Sequence, residues 1–121
     1  MTDAQTITQL IEDLKAAEVG TRELDARIEE NFSGVYVDDM PVVSGLVRYS
    51  TSIDAAMTTI PEGWSFRVMK SGTGDQGQAE IWDPMKAPSL DNTIRVIGCA
   101  SPAIALCIAS LSAMLEELET T

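Results

Sequence analysis

Apolar residues recur along this chain at two periods, and the changes between them divide it into elements. Ile7, Leu10, Ile11 and Leu14 fall at helical spacing behind Asp3 and Thr6, either of which can cap. The pattern predicts a helix from about Asp3 to Ala17, with Gly20 suited to the stop. Thr21 can cap a second helix, in which Leu24, Ile28 and Phe32 make one stripe and Glu23, Asp25, Glu29 and Glu30 lie mostly off it. Across residues 33–47 Val35, Val37, Val42 and Val43 favour extended chain, while Gly34, Pro41 and Gly45 interrupt it, so one or two short strands are expected there. Ser52 caps a third helix carrying Ile53, Ala56, Met57 and Ile60, which Pro61-Glu62-Gly63 ends in a turn.

The period then drops to two. Trp64, Phe66 and Val68 alternate with Ser65, Arg67 and Met69, a strand signature. Ala79 to Asp83 reads as a second strand stopping at Pro84, residues 84–93 as loop, and Ile94 to Ile97 as a further short strand. Ser101 as cap and Pro102 as first helical residue open a long helix. Its stripe is Ile104, Cys107, Ile108, Leu111, Leu115 and Leu118, and it closes in Glu116, Glu117 and Glu119.

Between the two strands, Gly72, Gly74 and Gly77 spell the G-x-G-x-x-G of dinucleotide-binding loops. That fingerprint works because a helix follows the third glycine and turns its N-terminus to the pyrophosphate. Here only Gln78 and the strand-like Ala79 to Asp83 stand before Pro84, so no helix has room to form. The stretch reads as the connection of an antiparallel hairpin, where glycine supplies left-handed backbone at little steric cost.

Length and composition narrow the chemistry. A chain of 121 residues with 45% hydrophobic and 22% charged residues reads as one globular domain, 1–121, with its core over about 6–118. The uncharged run from Val96 to Leu115 approaches a membrane span in length, but its Ser-Pro break and its many Ala and Ser residues favour a core helix. Met1-Thr2-Asp3 lacks the basic start of a secretory signal, so the expected compartment is cytoplasm. Histidine is absent, which removes the usual general base and the commonest metal ligand. Only three lysines occur, Lys15, Lys70 and Lys86, none in a Ser-x-x-Lys frame. Cys99 and Cys107 are too few for a disulfide framework, and Cys107 falls inside an apolar helical pattern. No catalytic set, cofactor or metal is expected.

Charge is the strongest compositional signal. The formal net charge is −11, and residues 1–39 hold ten acids against three bases. Direct nucleic-acid binding needs clustered Lys and Arg and is not expected. The candidate binding surface is acidic: Glu12, Asp13, Glu23, Glu29, Glu30, Asp38 and Asp39, facing a protein partner of basic character. Such carboxylates can imitate the phosphates of nucleic acid, although a merely solubilising helical face is the simpler account of them. Asp38-Asp39 lacks the alternating spacing of a calcium loop and reads as a solvated turn. A cleft near Trp64, Trp82 and Asp83 is the alternative site, for a small enzyme or ligand-binding protein; core filling under the sheet is the simpler use of both tryptophans.

Several stretches together resemble the phage ABA sandwich domain family. They are Glu23-Leu-Asp-Ala-Arg-Ile28, Tyr49-Ser-Thr-Ser-Ile-Asp-Ala-Ala56, Pro61-Glu-Gly-Trp64 and Ser101-Pro-Ala-Ile-Ala-Leu-Cys-Ile-Ala109 with Leu111 beyond, spanning roughly residues 6 to 115. The segment Met40 to Val47 and the acidic tail match least. The resemblance implies an α/β/α layered fold and a phage or prophage origin, and it carries no activity from which catalytic residues could be transferred. The fold expected is therefore α+β: a small, mainly antiparallel sheet with the 64–83 hairpin at its heart, flanked by about four helices. The function expected is that of a non-enzymatic accessory protein that binds a host or phage protein, with inhibition of a defence or nucleic-acid-handling protein as a DNA mimic among its forms. A virion or assembly component is the third reading, and homo-oligomerisation stays open.

Overall fold

A computed structural model of the chain describes residues 4–32, 36–37, 40–41, 48–70, 77–85 and 93–120. Its elements run α1 (Ala4–Ala16), α2 (Arg22–Phe32), β1 (Tyr36–Val37), β2 (Met40–Pro41), α3 (Ile53–Met57), β3 (Ser65–Lys70), β4 (Gly77–Trp82), β5 (Thr93–Cys99) and α4 (Pro102–Thr120).

Three helices begin where a hydroxyl satisfies an orphan N–H of the first turn. Thr21 Oγ1 accepts from the Leu24 N–H at 3.1 Å, Ser52 Oγ from Ala55 at 3.3 Å, and Ser101 Oγ from Ile104 at 3.2 Å. The third helix stops earlier than its apolar spacing predicts. After Met57 the chain tightens into i→i−3 bonds, and the Thr58 and Thr59 hydroxyls donate to the Ala55 and Ala56 carbonyls. Threonine side chains thus offer those carbonyls local donors in place of a further helical turn. Ile53 and Met57, expected on a buried stripe, are exposed.

β3, β4 and β5 form an antiparallel sheet in that order, and β1 and β2 a separate two-residue ladder within the 33–47 stretch. No helix follows Gly77; it opens β4 opposite Lys70, as a hairpin requires. Between the pairs Gly77–Cys99 and Ala79–Val96, Gln78 stands against both Ile97 and Gly98. That extra residue is a bulge, and Gly98 takes the positive φ of 77° that such a position favours.

Strand alternation sorts the side chains. Phe66 and Val68, Ala79 and Ile81, Ile94 and Val96 point inward, and α4 lies across them. α4 is buried continuously from Ala103 to Leu111, because α1 and α3 pack on it as well as the sheet, and α2 packs on α1. The class is α+β, with four helices and an antiparallel sheet against which they pack. Among the described residues the helical layer covers one face of the sheet: the core includes residues of the inward rows and none of Arg67, Met69, Gln78, Arg95 or Ile97. No described helix, α4 with its 19 residues included, is long and apolar enough to cross a membrane.

Candidate functional site

The outward face of the sheet carries a row of three charged side chains joined by two ion pairs. Register places Arg67 of β3 opposite Glu80 of β4, and Glu80 opposite Arg95 of β5, in one row across the strands. Arg67 Nη2 donates to Glu80 Oε2 and Arg95 Nε to Glu80 Oε1, each at 2.6 Å. Both arginine side chains are more than half exposed, whereas the Glu80 side chain is 7% exposed. Guanidiniums, not core residues, roof the carboxylate. The Arg67 hydrogen bond, aided by that from Arg95 and opposed by burial, holds the Glu80 carboxyl below its ordinary value of 4.5. Two residues along their strands, on the same face, lie Met69 and Ile97, 50% and 66% exposed, on either side of Gln78. On the other side of the row is half-buried Trp82.

A second polar cluster lies inside the helical layer. Asp25 in the first turn of α2 is buried, and its Oδ1 accepts both the Ser50 N–H at 2.8 Å and the Ser50 hydroxyl at 2.6 Å. A carboxylate near a helix N-terminus is favoured by the unpaired N–H groups there. The Ser50 proton is directed into the carboxylate, so the contact clamps α2 to the chain entering α3. Next to it, Cys107 Sγ donates to the Tyr49 carbonyl at 3.3 Å. Burial drives the Cys107 thiol up to about 12 and also raises the Tyr49 phenol, which Glu29, Cys107 and Asp25 push the same way. Glu29 Oε2 and Ser110 Oγ are buried with no hydrogen-bond partner.

The residues expected to form an acidic binding surface are therefore separated. Glu12 and Glu23 are exposed, Glu12 lying 4.0 Å from Lys15 Nζ. Asp13 is bonded to Arg27 at 2.7 Å, which holds its carboxyl below the ordinary value with help from Gln9. Glu29 is buried and cannot belong to an exposed face; Asp25 and Glu29, four apart, share a side of α2 turned toward the Tyr49 segment. The Glu30 side chain and both Asp38 and Asp39 lie outside the described residues. Of the residues expected to line a cleft, Trp64, Trp82 and Asp83, the two tryptophans lie on different faces of the sheet. Strand alternation puts Trp64 against the core and Trp82 on the opposite face, and neither described cavity is lined by any of the three.

Those two cavities lie elsewhere. One of about 400 Å³ runs beside the β5 edge, between Lys15, Ile97 and Ser112. The other, of about 420 Å³, opens where α1 ends and α4 begins, among Gly20, Ser50, Thr51, Lys70 and Ser101. Among the described residues no group of three or more Cys, Asp or Glu is placed to hold a metal ion. The Arg–Glu–Arg row escaped the reading of the sequence, although its signal was present. A hairpin joining Trp64–Lys70 to Ala79–Asp83 pairs position 67 with position 80 once Ser65 faces Trp82.

Compared with protein-family models, with curated proteins and with solved structures, the chain shows no match.

Proposed function

We propose that this chain is a small, acidic, non-enzymatic accessory protein that works by binding another protein. The carrying observation is the segregation of its surface. Exposed carboxylates such as Glu12, Glu18 and Glu23 belong to the helical side, while the uncovered face of the sheet displays Met69, Ile97 and two exposed guanidiniums. Apolar side chains beside arginines, with no described helix over them, suit a docking surface. The acidic helical side supplies long-range attraction or repulsion rather than the contact itself, because Glu29 is interior and Asp13 is already paired. Phage origin, action in the cytoplasm of a bacterial host and the role of inhibitor are part of the same reading; the first rests on the family resemblance alone.

The test is retention of a bacterial protein from lysate by the immobilised chain, released by salt and lost when Ile97 and Met69 are both changed to serine. Turnover of a substrate by the purified chain would overturn the reading. A ligand-binding reading draws on the cavity beside Lys70 and Ser101 instead. A rise in melting temperature with a small anion, absent in Lys70→Ala, would favour it.

A further inference from the structure

Among the described residues, the outward face of the sheet holds more hydrogen-bond donors than its neighbours engage. A guanidinium carries five N–H donors in a planar fork. Glu80 takes one nitrogen of Arg67 and one of Arg95, and both side chains remain more than half open to solvent. The buried carboxylate thus holds two long side chains on either side of it while more than half of each stays open to solvent. Ordering such side chains ordinarily opposes binding, and here much of that cost is met within the fold.

We propose that this face docks a protein segment presenting carboxylates beside aliphatic or aromatic side chains. The partner's carboxylates take the open edges of Arg67 and Arg95, and its apolar side chains lie on Met69 and Ile97. The proposal rests on the binding role above and adds the chemistry of the partner. Charge complementarity selects that chemistry. On the outward face of the strands Arg67 and Arg95 stand against Glu80 alone, in a chain of net charge −11. Acidic groups are therefore attracted to the sheet and repelled by much of the remaining surface, which orients the approach as well as strengthening it. A nucleic acid fits less well, since its continuous phosphates would extend past one arginine row into a field of carboxylates. Met69 and Ile97 match apolar side chains, which a phosphate backbone does not offer.

The experiment is an NMR titration of the isotope-labelled full chain with a short synthetic peptide rich in Glu and Leu. Its Gln-for-Glu and Lys-for-Glu counterparts and a single-stranded oligonucleotide serve as competing probes. The Glu peptide is expected to shift the amide signals of Arg67, Met69, Arg95 and Ile97, and its affinity should fall with salt. Binding should weaken by at least about tenfold in the triple variant Arg67→Gln, Glu80→Gln, Arg95→Gln, which leaves no buried carboxylate unpaired. Ile97→Ser with Met69→Ser, at two exposed positions, should weaken it without disturbing the fold. Equal binding of the Gln peptide, or tighter binding of the oligonucleotide on the same residues, overturns the proposal. So does a dimer in sedimentation that Ile97→Ser dissociates, which would give the face to a second copy of this chain. Binding of the Lys peptide alone, on α1 and α2, also overturns it but leaves the general binding role standing; failure of that role shows separately, as a lysate from which nothing is retained.

Discussion

Gly77 and Ser101 meet with no room for a side chain between them. A methyl group at Gly77 would overlap the Ser101 carbonyl and the Pro102 nitrogen, both backbone atoms that cannot swing aside. The first residue of β4 is thereby seated against the start of α4. Gly77→Ala is expected to lower the unfolding free energy by about 2 kcal/mol or more, as a shift in urea midpoint at unchanged slope. Gly98→Ala is the contrast. Space there is open, but φ is 77°, and the expected cost is about 1 kcal/mol from backbone strain alone.

The Asp25 clamp gives a second prediction. Asp25→Ala strands the Ser50 N–H and hydroxyl in a buried site and should destabilise the fold by about 3 kcal/mol. Asp25→Asn keeps an oxygen able to accept from Ser50 and should cost less. Thermal unfolding of the two variants checks the order.

Acidification should report on the sheet face. Glu80 is held below its ordinary value of 4.5 in the folded chain, so protonation favours the unfolded state. Its contribution to stability is fully present above about 4.5 and is lost as pH falls through the lower folded value. Glu80→Gln should therefore be less stable than the parent at neutral pH, and the gap should close below pH 4.5. A gap that stays constant with pH would show that the arginines do not stabilise the charged form.

At alkaline pH the sign reverses. Cys99 and Cys107 lie above their ordinary 9.0 and Tyr49 above 10.0, all chiefly through burial. Their neutral forms favour the folded state, so this stability is present below about 9 and is lost as pH rises towards 12. A thiol reagent at pH 8 should leave Cys107 unmodified, its thiolate fraction cut by roughly a thousandfold relative to an exposed cysteine. Both thiols should react once denaturant is added. Rapid labelling of Cys107 in the folded chain would contradict its place against the Tyr49 carbonyl.

Local grammar was readable from the sequence. Thr21, Ser52, Ser101 and Pro102 marked helix starts because capping depends on neighbours three residues away, and the alternation of Trp64, Phe66 and Val68 marked β3 for the same reason. What escaped depends on distant partners. Asp25 falls off the apolar stripe and Glu29 reads as part of an exposed surface, because their acidity is visible and the Tyr49–Ser50 segment beside them is not adjacent in sequence. β5 reaches Cys99, beyond the apolar run ending at Ile97, because a bulge at Gly98 lets pairing resume against Gly77. Trp64 and Trp82 looked like neighbours, which in sheet register they nearly are; facing opposite sides, they cannot enclose one ligand.

α4 follows every other described element in the chain, yet the inward rows of the sheet and the flanks of α1 and α3 all rest on it. While a ribosome is still making residues 102–120, Phe66, Ile81 and Val96 lack the helix that lies across them. Assembly is thus deferred to the end of synthesis of this unit, and the nascent chain must be shielded from premature aggregation until its keystone emerges.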